Sequence, residues 1–142
     1  MSAVRHDRKA AITALIQEHD IRTQRELMDR LAQEGFEVTQ ATVSRDMADL
    51  RLEKDRSGVY VMPELLHLRA VIKTQVRETR RAGNQVIVIC RPGSAEGVGA
   101  AIDAAHAEGV LGSIAGDDTL LVITQDDEAG ASFQARVDRL LD

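Results

Sequence analysis

Residues 23–50, "TQRELMDRLAQEGFEVTQATVSRDMADL", constrain the fold more than any other stretch, because they hold two helix starts with a stop between them. Thr23 and Glu26 have the S/T-x-x-E spacing of a capping box, and Leu27, Met28 and Leu31 follow as a buried stripe. Gly35 ends that helix. After the short connection "GFEV", Thr39 is placed to cap a second helix whose inward positions Val43, Met47 and Leu50 fall at i, i+4 and i+7. Upstream, between Arg5 and Glu18, Ala11, Ile12, Leu15 and Ile16 recur at helical spacing and give one more amphipathic helix. Two helices joined by so tight a turn form a helix-turn-helix.

The outward face of the later helix carries the functional information. At about 100° per residue, Ala41, Ser44, Arg45 and Ala48 fall together, with Thr42 on the flank. A solvated helix without a partner would normally present long charged side chains there. Small side chains around one arginine instead let the backbone approach a groove and let Arg45 reach a guanine edge or a phosphate. An ordinary solvated helix is the alternative. The next segment, "LEKDRSGVYVM", supplies a short strand, a turn at Arg56, Ser57 and Gly58, and a second strand, which is the hairpin wing that often follows a helix-turn-helix. Lys54 and Arg56 at its tip are placed to touch a phosphate backbone.

Pro63 cannot continue the wing's hydrogen-bond ladder and marks a boundary. Beyond it, in "LLHLRAVIKTQVRET", Leu66, Leu68, Ala70, Ile72 and Val76 alternate with polar residues, which favours a strand over a helix. "RRAGN" turns the chain into the apolar run "QVIVIC". Pro92 and Gly93 break that strand, and Ser94 is positioned to cap a helix with Val98, Ala101, Ile102 and Ala105 on its core side. "GVLGSIA" and "TLLVITQ" are two further strands joined at "GDD", and a last helix carries Phe133, Val137, Leu140 and Leu141. Two strands, a helix, two strands and a helix make a small α/β sandwich with its helices on one face. The fold class is therefore two-domain α/β. Residues 1–63 form a winged helix-turn-helix, 64–70 a linker running into the first strand, and 71–142 an oligomerisation and effector-binding domain.

Charge narrows the function. The net charge of -5 argues against a protein that coats nucleic acid indiscriminately, so DNA affinity would depend on a local patch with modest salt dependence. Residues 65–82 carry Arg69, Lys73, Arg77, Arg80 and Arg81 against Glu78 alone, whereas acidic residues dominate from Gly83 onward. No apolar stretch approaches the ~20 residues of a membrane span and no charged-then-apolar leader precedes Arg5, so a cytoplasmic protein is expected. Cys90, within "VIVIC", reads as a buried strand residue, and the four histidines lack metal-ligand spacing.

Asp117 and Asp118 admit three readings. Gly-Asp-Asp is ordinary turn chemistry between strands. Adjacent aspartates on a hairpin also hold divalent metals in phosphoryl-transfer enzymes, although no third carboxylate is obviously placed to complete such a site. In the third reading the pair accepts hydrogen bonds from a cationic ligand such as a planar guanidinium.

Both halves also carry a family resemblance. "VTQATVSRDMADLRLEK" followed by "GVYVMPE" resembles the DNA-binding domain of bacterial arginine repressors, and "GVLGSIAGDDT", standing after "RPGSAEGVGAAID", resembles that family's effector motif. The resemblance spans nearly the full chain. It implies that Gln40, Thr42, Ser44 and Arg45 face operator DNA, while Arg51 falls at a variable position. It implies a homohexamer, a dimer of trimers, with Asp117 and Asp118 binding L-arginine as corepressor where the trimers meet. Glu96 stands where many relatives have glutamine and some histidine, which adds a negative charge near that site. The expectation is a repressor of arginine biosynthesis genes that needs no metal or other cofactor and performs no catalysis. A same-architecture regulator answering to ornithine, citrulline or lysine is the nearer alternative. A small metal-binding enzyme or regulatory subunit using Asp117 and Asp118 is the remote one.

Overall fold

A computed structural model describes the backbone of residues 2–142 and the side chains from Ala3 onward. The chain divides into two compact units, Met1–Leu66 and His67–Asp142.

The first unit contains α1 (Ser2–Glu18), α2 (Gln24–Gln33), α3 (Gln40–Asp49) and a hairpin of β1 (Glu53–Lys54) and β2 (Tyr60–Val61). Thr23 caps α2 as its sequence predicts, its Oγ1 accepting from Glu26 N–H at 3.1 Å. The return arm reaches one residue further back, with Glu26 accepting from Arg22 N–H at 3.4 Å. Gly35, at φ +90°, ends α2 in a Schellman turn: Phe36 N–H donates to the Leu31 carbonyl and Gly35 N–H to that of Ala32. The same turn closes α3, where Leu52 and Arg51 donate to Met47 and Ala48, but the left-handed position is taken by Arg51 at φ 55°. Ile12, Leu15, Ile16, Ile21, Leu27, Leu31, Val43 and Met47 form the core. Tyr60 N–H donates to the Ile21 carbonyl at 2.8 Å, which ties the wing to the connection between α1 and α2.

The expected strand after Pro63 is instead helix α4 (Pro63–Gln75). Pro63 takes the first helical position, where its missing N–H costs nothing, and Met62 accepts the first turn's bonds from Leu65 and Leu66. Leu68 and Ile72, four apart, are the buried positions, while Ala70, which a strand would have kept dry, is exposed. The alternation in the sequence coincided with a helical stripe, and only its end is extended.

The second unit then follows the expected order: β3 (Val76–Ala82), β4 (Gln85–Cys90), α5 (Ala95–Ala104), β5 (Val110–Ala115), β6 (Thr119–Thr124) and α6 (Asp127–Leu141). The strands form one antiparallel sheet in the order β3-β4-β6-β5. Val86, Val88 and Cys90 of β4 and Leu120 and Val122 of β6 point to one face, where Val98, Ala101 and Ile102 of α5 and Phe133 and Val137 of α6 cover them. Leu68 and Ile72 of α4 join that core. Across the opposite face, away from α5 and α6, run Arg80, Ile87, Leu121 and Ile114 in register, with Ile114 73% exposed. At Gly130 α6 packs tightly against the β3–β4 turn: a Cβ there would lie 2.6 Å from the Gly83 carbonyl oxygen.

Candidate nucleic-acid interface and effector site

On α3 the outward residues are those the helical angle predicts. Ala41, Ser44, Arg45 and Ala48 are exposed, and Val43 and Met47 are buried. Thr39 Oγ1 accepts from Thr42 N–H at 3.3 Å and lies 3.1 Å from the Thr42 hydroxyl, so half-buried Thr42 is drawn into the helix cap. Exposed Gln40 donates to Gln24 Oε1 at 3.4 Å, which joins the start of α3 to that of α2 beside a groove of about 430 Å³.

Two acidic residues of α3 escaped the sequence reading. Asp46 is 1% exposed and is held side-on by Arg8 of α1, with Nε on one carboxylate oxygen and Nη2 3.1 Å from the other. That hydrogen bond, opposed in part by burial, raises the Arg8 pKa above its already high ordinary value. Asp49 is met by Arg5 at 2.6 Å and Lys9 at 2.9 Å. The signal was available, since Asp46 falls between Val43 and Met47 on the buried face, where a carboxylate requires a partner.

In the wing, Asp55 Oδ1 accepts from Ser57 N–H at 2.8 Å, Ser57 Oγ at 2.6 Å and Val59 N–H at 3.1 Å, closing the turn that carries exposed Arg56. Lys54 Nζ lies 5.0 Å from the Tyr60 ring centroid, a cation–π contact across the hairpin. Arg22, also unforeseen, donates to the Ser57 carbonyl and holds the tip of the wing against the segment before α2.

In the second unit, Asp117 and Asp118 occupy the turn between β5 and β6, and both are exposed. Their backbone is fixed: Cys90 N–H donates to the Asp118 carbonyl at 2.7 Å, and Ala95 N–H to that of Asp117 at 3.2 Å. The second bond brings the first turn of α5, and with it exposed Glu96, against the aspartate turn. Gly99 permits this approach, because its Cβ position lies only 3.1 Å from Leu120 Cδ1 and 3.4 Å from Ser113 Oγ. Ser94 does not cap α5 as expected; its hydroxyl donates to the Arg91 carbonyl at 2.7 Å instead. Under the turn, burial and then the charge of Asp118 raise the Cys90 pKa, which keeps the thiol protonated at neutral pH.

The carboxylates themselves are largely unclaimed. Asp118 Oδ1 accepts from Thr119 Oγ1 at 3.0 Å, and among the described residues no cation pairs with Glu96, Asp117 or Asp118. Nor, among those residues, does any group of three or more His, Cys, Asp or Glu side chains converge as a metal site would require.

Residues 3–67 match the family model described as the arginine repressor DNA-binding domain, and residues 72–139 match the arginine repressor C-terminal domain. The chain belongs to the arginine repressor family. It is 37% identical to an arginine repressor of Thermus thermophilus over 90% of this chain and 85% of that one. It is 38% identical to one of Carboxydothermus hydrogenoformans over 94% and 97%, and 40% identical to one of Halothermothrix orenii over 83% and 86%. As a member of the arginine repressor family it is an arginine-responsive transcriptional repressor, and the two matched segments correspond to the helix-turn-helix and to the sheet carrying the aspartate turn.

Proposed function

We propose that the protein represses arginine biosynthesis genes in the cytoplasm, with free L-arginine as corepressor and no chemical turnover. Gln40, Ser44 and Arg45 of α3 read operator DNA from the major groove, with the Thr42 methyl group available for apolar base contact. Lys54 and Arg56 of the wing contact phosphates. Asp117 and Asp118 accept hydrogen bonds from the ligand's cationic groups, with Glu96 at the edge of the site. The observation that carries this reading is a turn whose backbone is pinned at both aspartates while their carboxylates have no cationic partner among the described residues.

The functional assembly is a homohexamer, a dimer of trimers. The sheet face opposite α5 and α6, with Ile87, Ile89, Leu121, Ile123 and Ile114, supports burial against other subunits. Several acidic turns meeting at one interface repel each other, and a cation bound between them turns that repulsion into bridging hydrogen bonds. Ligand thereby favours assembly, and a fixed assembly engages two half-sites at once, which raises apparent DNA affinity through effective concentration. A band-shift titration on DNA upstream of arginine biosynthesis genes tests the proposal. Binding should tighten with L-arginine, and indifference to arginine removes the corepressor role.

Glu96 favours a second reading, because a third exposed carboxylate suits any compact cation. Calorimetry with arginine, ornithine, lysine and uncharged citrulline, on wild type and Glu96→Gln, separates these effectors. Equal affinity for citrulline and arginine would show that the site does not select for positive charge.

A further inference from the structure

We infer that the Arg8–Asp46 pair is a positioning device that sets the roll of α3, and so fixes where Ser44 and Arg45 point when the helix meets DNA. Asp46 directly follows Arg45, and it is the charged group among the buried residues of α3. Its neighbours on that face, Val43 and Met47, pack through apolar contact, whose driving force is non-directional. A side-on guanidinium–carboxylate pair is directional: both Asp46 oxygens are engaged by two nitrogens of one planar group, Nε and Nη2 of Arg8. The pair is largely withheld from water, with the Asp46 side chain 2% exposed and that of Arg8 16%. Asp49, one turn further along α3, is gripped by Arg5 and Lys9, a more exposed contact between the same two helices. Three cations of α1 are thus committed to α3, and Arg8 and Asp46 act on DNA through Arg45 and Ser44 without touching it.

A pair that merely adds stability can be replaced by apolar residues of similar size without loss, and sometimes with gain. That property gives the test. In the full-length chain, Arg8→Met with Asp46→Leu removes the directional contact and keeps the packing volume, while Arg8→Lys keeps the charge and loses the two-pronged geometry. Each variant is checked for native circular dichroism and thermal midpoint. Its affinity is then measured, with L-arginine present, for a duplex that the wild-type chain selects from a random pool and for a scrambled duplex.

The positioning role predicts that selected-to-scrambled discrimination falls about tenfold or more in both variants, a loss comparable to a mismatched base pair. Affinity for scrambled DNA and its salt dependence should stay near wild type. If folded variants keep wild-type discrimination, the pair is structural and the inference is overturned; should the double variant not fold, Arg8→Lys alone decides. The inference rests on α3 being the DNA-reading helix, so Arg45→Ala is run in parallel. If that variant discriminates as wild type does, the reading of α3 falls and this inference with it. If Arg45→Ala loses discrimination while both pair variants retain it, only the positioning role falls.

Discussion

The face of α3 and the aspartate turn between β5 and β6 are both exposed and both bear charge, but they are held in opposite ways. On α3 the side chains flanking Ser44 and Arg45 are tied, through Arg8 to Asp46, Arg5 and Lys9 to Asp49, and Gln40 to Gln24, so that these two are presented by a finished framework. At the turn the backbone is tied, through Cys90 and Ala95, and the carboxylates of Glu96 and Asp117 have no bonded partner among the described residues. One surface is complete within a single chain. The other presents its acceptors to solvent.

The sharpest way to break this contrast is to disable each surface separately. Arg45→Ala should cost about 1–3 kcal/mol of operator affinity at each half-site, and calorimetric arginine binding should be unchanged. Asp117→Asn should weaken arginine binding by roughly 1.5–3 kcal/mol, the usual worth of a hydrogen bond to a charged group. It should leave affinity for DNA without arginine as in wild type. If Asp117→Asn lowered arginine-free DNA binding as much as Arg45→Ala does, the two surfaces would not be separable.

Stability distinguishes the units in a second way. Gly130→Ala would set a methyl group 2.6 Å from the Gly83 carbonyl oxygen and 3.1 Å from Thr124 Oγ1, so α6 has to shift off the sheet. A loss of about 1–3 kcal/mol is expected, as for other overpacked sites, and it should be confined to the second unit. Tyr60, the single tyrosine, lies in the first unit, so tyrosine fluorescence in a denaturant melt should keep its midpoint while far-ultraviolet circular dichroism gains an earlier phase.

The range of each interaction decides how far it can be read from sequence. The helix-turn-helix was legible because its signals are short-range: Thr23 and Thr39 bind N–H groups three residues on, and Gly35 takes the left-handed backbone that glycine accepts without strain. The aspartate turn was legible for the same reason, lying between two apolar runs. What went astray depended on tertiary context. Residues 66–76 satisfied both an alternating and a helical pattern, and only burial of Leu68 and Ile72 against the sheet decides between them. The Ser94 hydroxyl donates to the Arg91 carbonyl and makes no cap bond with α5. Arg8 and Asp46 lie far apart in the chain, so neither residue alone announces the pair.

Arg51 offers a smaller test within the first unit. It occupies the left-handed position that Gly35 fills in the otherwise equivalent turn after α2, and a non-glycine residue there carries roughly 1 kcal/mol of steric cost. Arg51→Gly should therefore raise the stability of the first unit by a substantial part of that amount, read by the tyrosine transition. If operator affinity falls at the same time, Arg51 adds a phosphate contact to those of Lys54 and Arg56, and the DNA surface extends past the end of α3.

The smallest expected effect concerns the exposed contact between α1 and α3. Hydrogen bonds first from Lys9 and then from Arg5 hold the Asp49 pKa below the usual carboxylate value. A depressed folded-state pKa means that protons bind more tightly to the unfolded chain. The associated stability is complete above the unfolded value of about 3.9 and is lost as pH falls through the folded one. Asp49 is solvent-exposed, so salt screens these contacts and the contribution at neutral pH is slight. Asp49→Asn should thus lie marginally below wild type at pH 7 in low salt, with the gap closing both as salt is added and as pH drops below 4. A gap that persisted at high salt would give this contact a directional role like that inferred for Arg8 and Asp46.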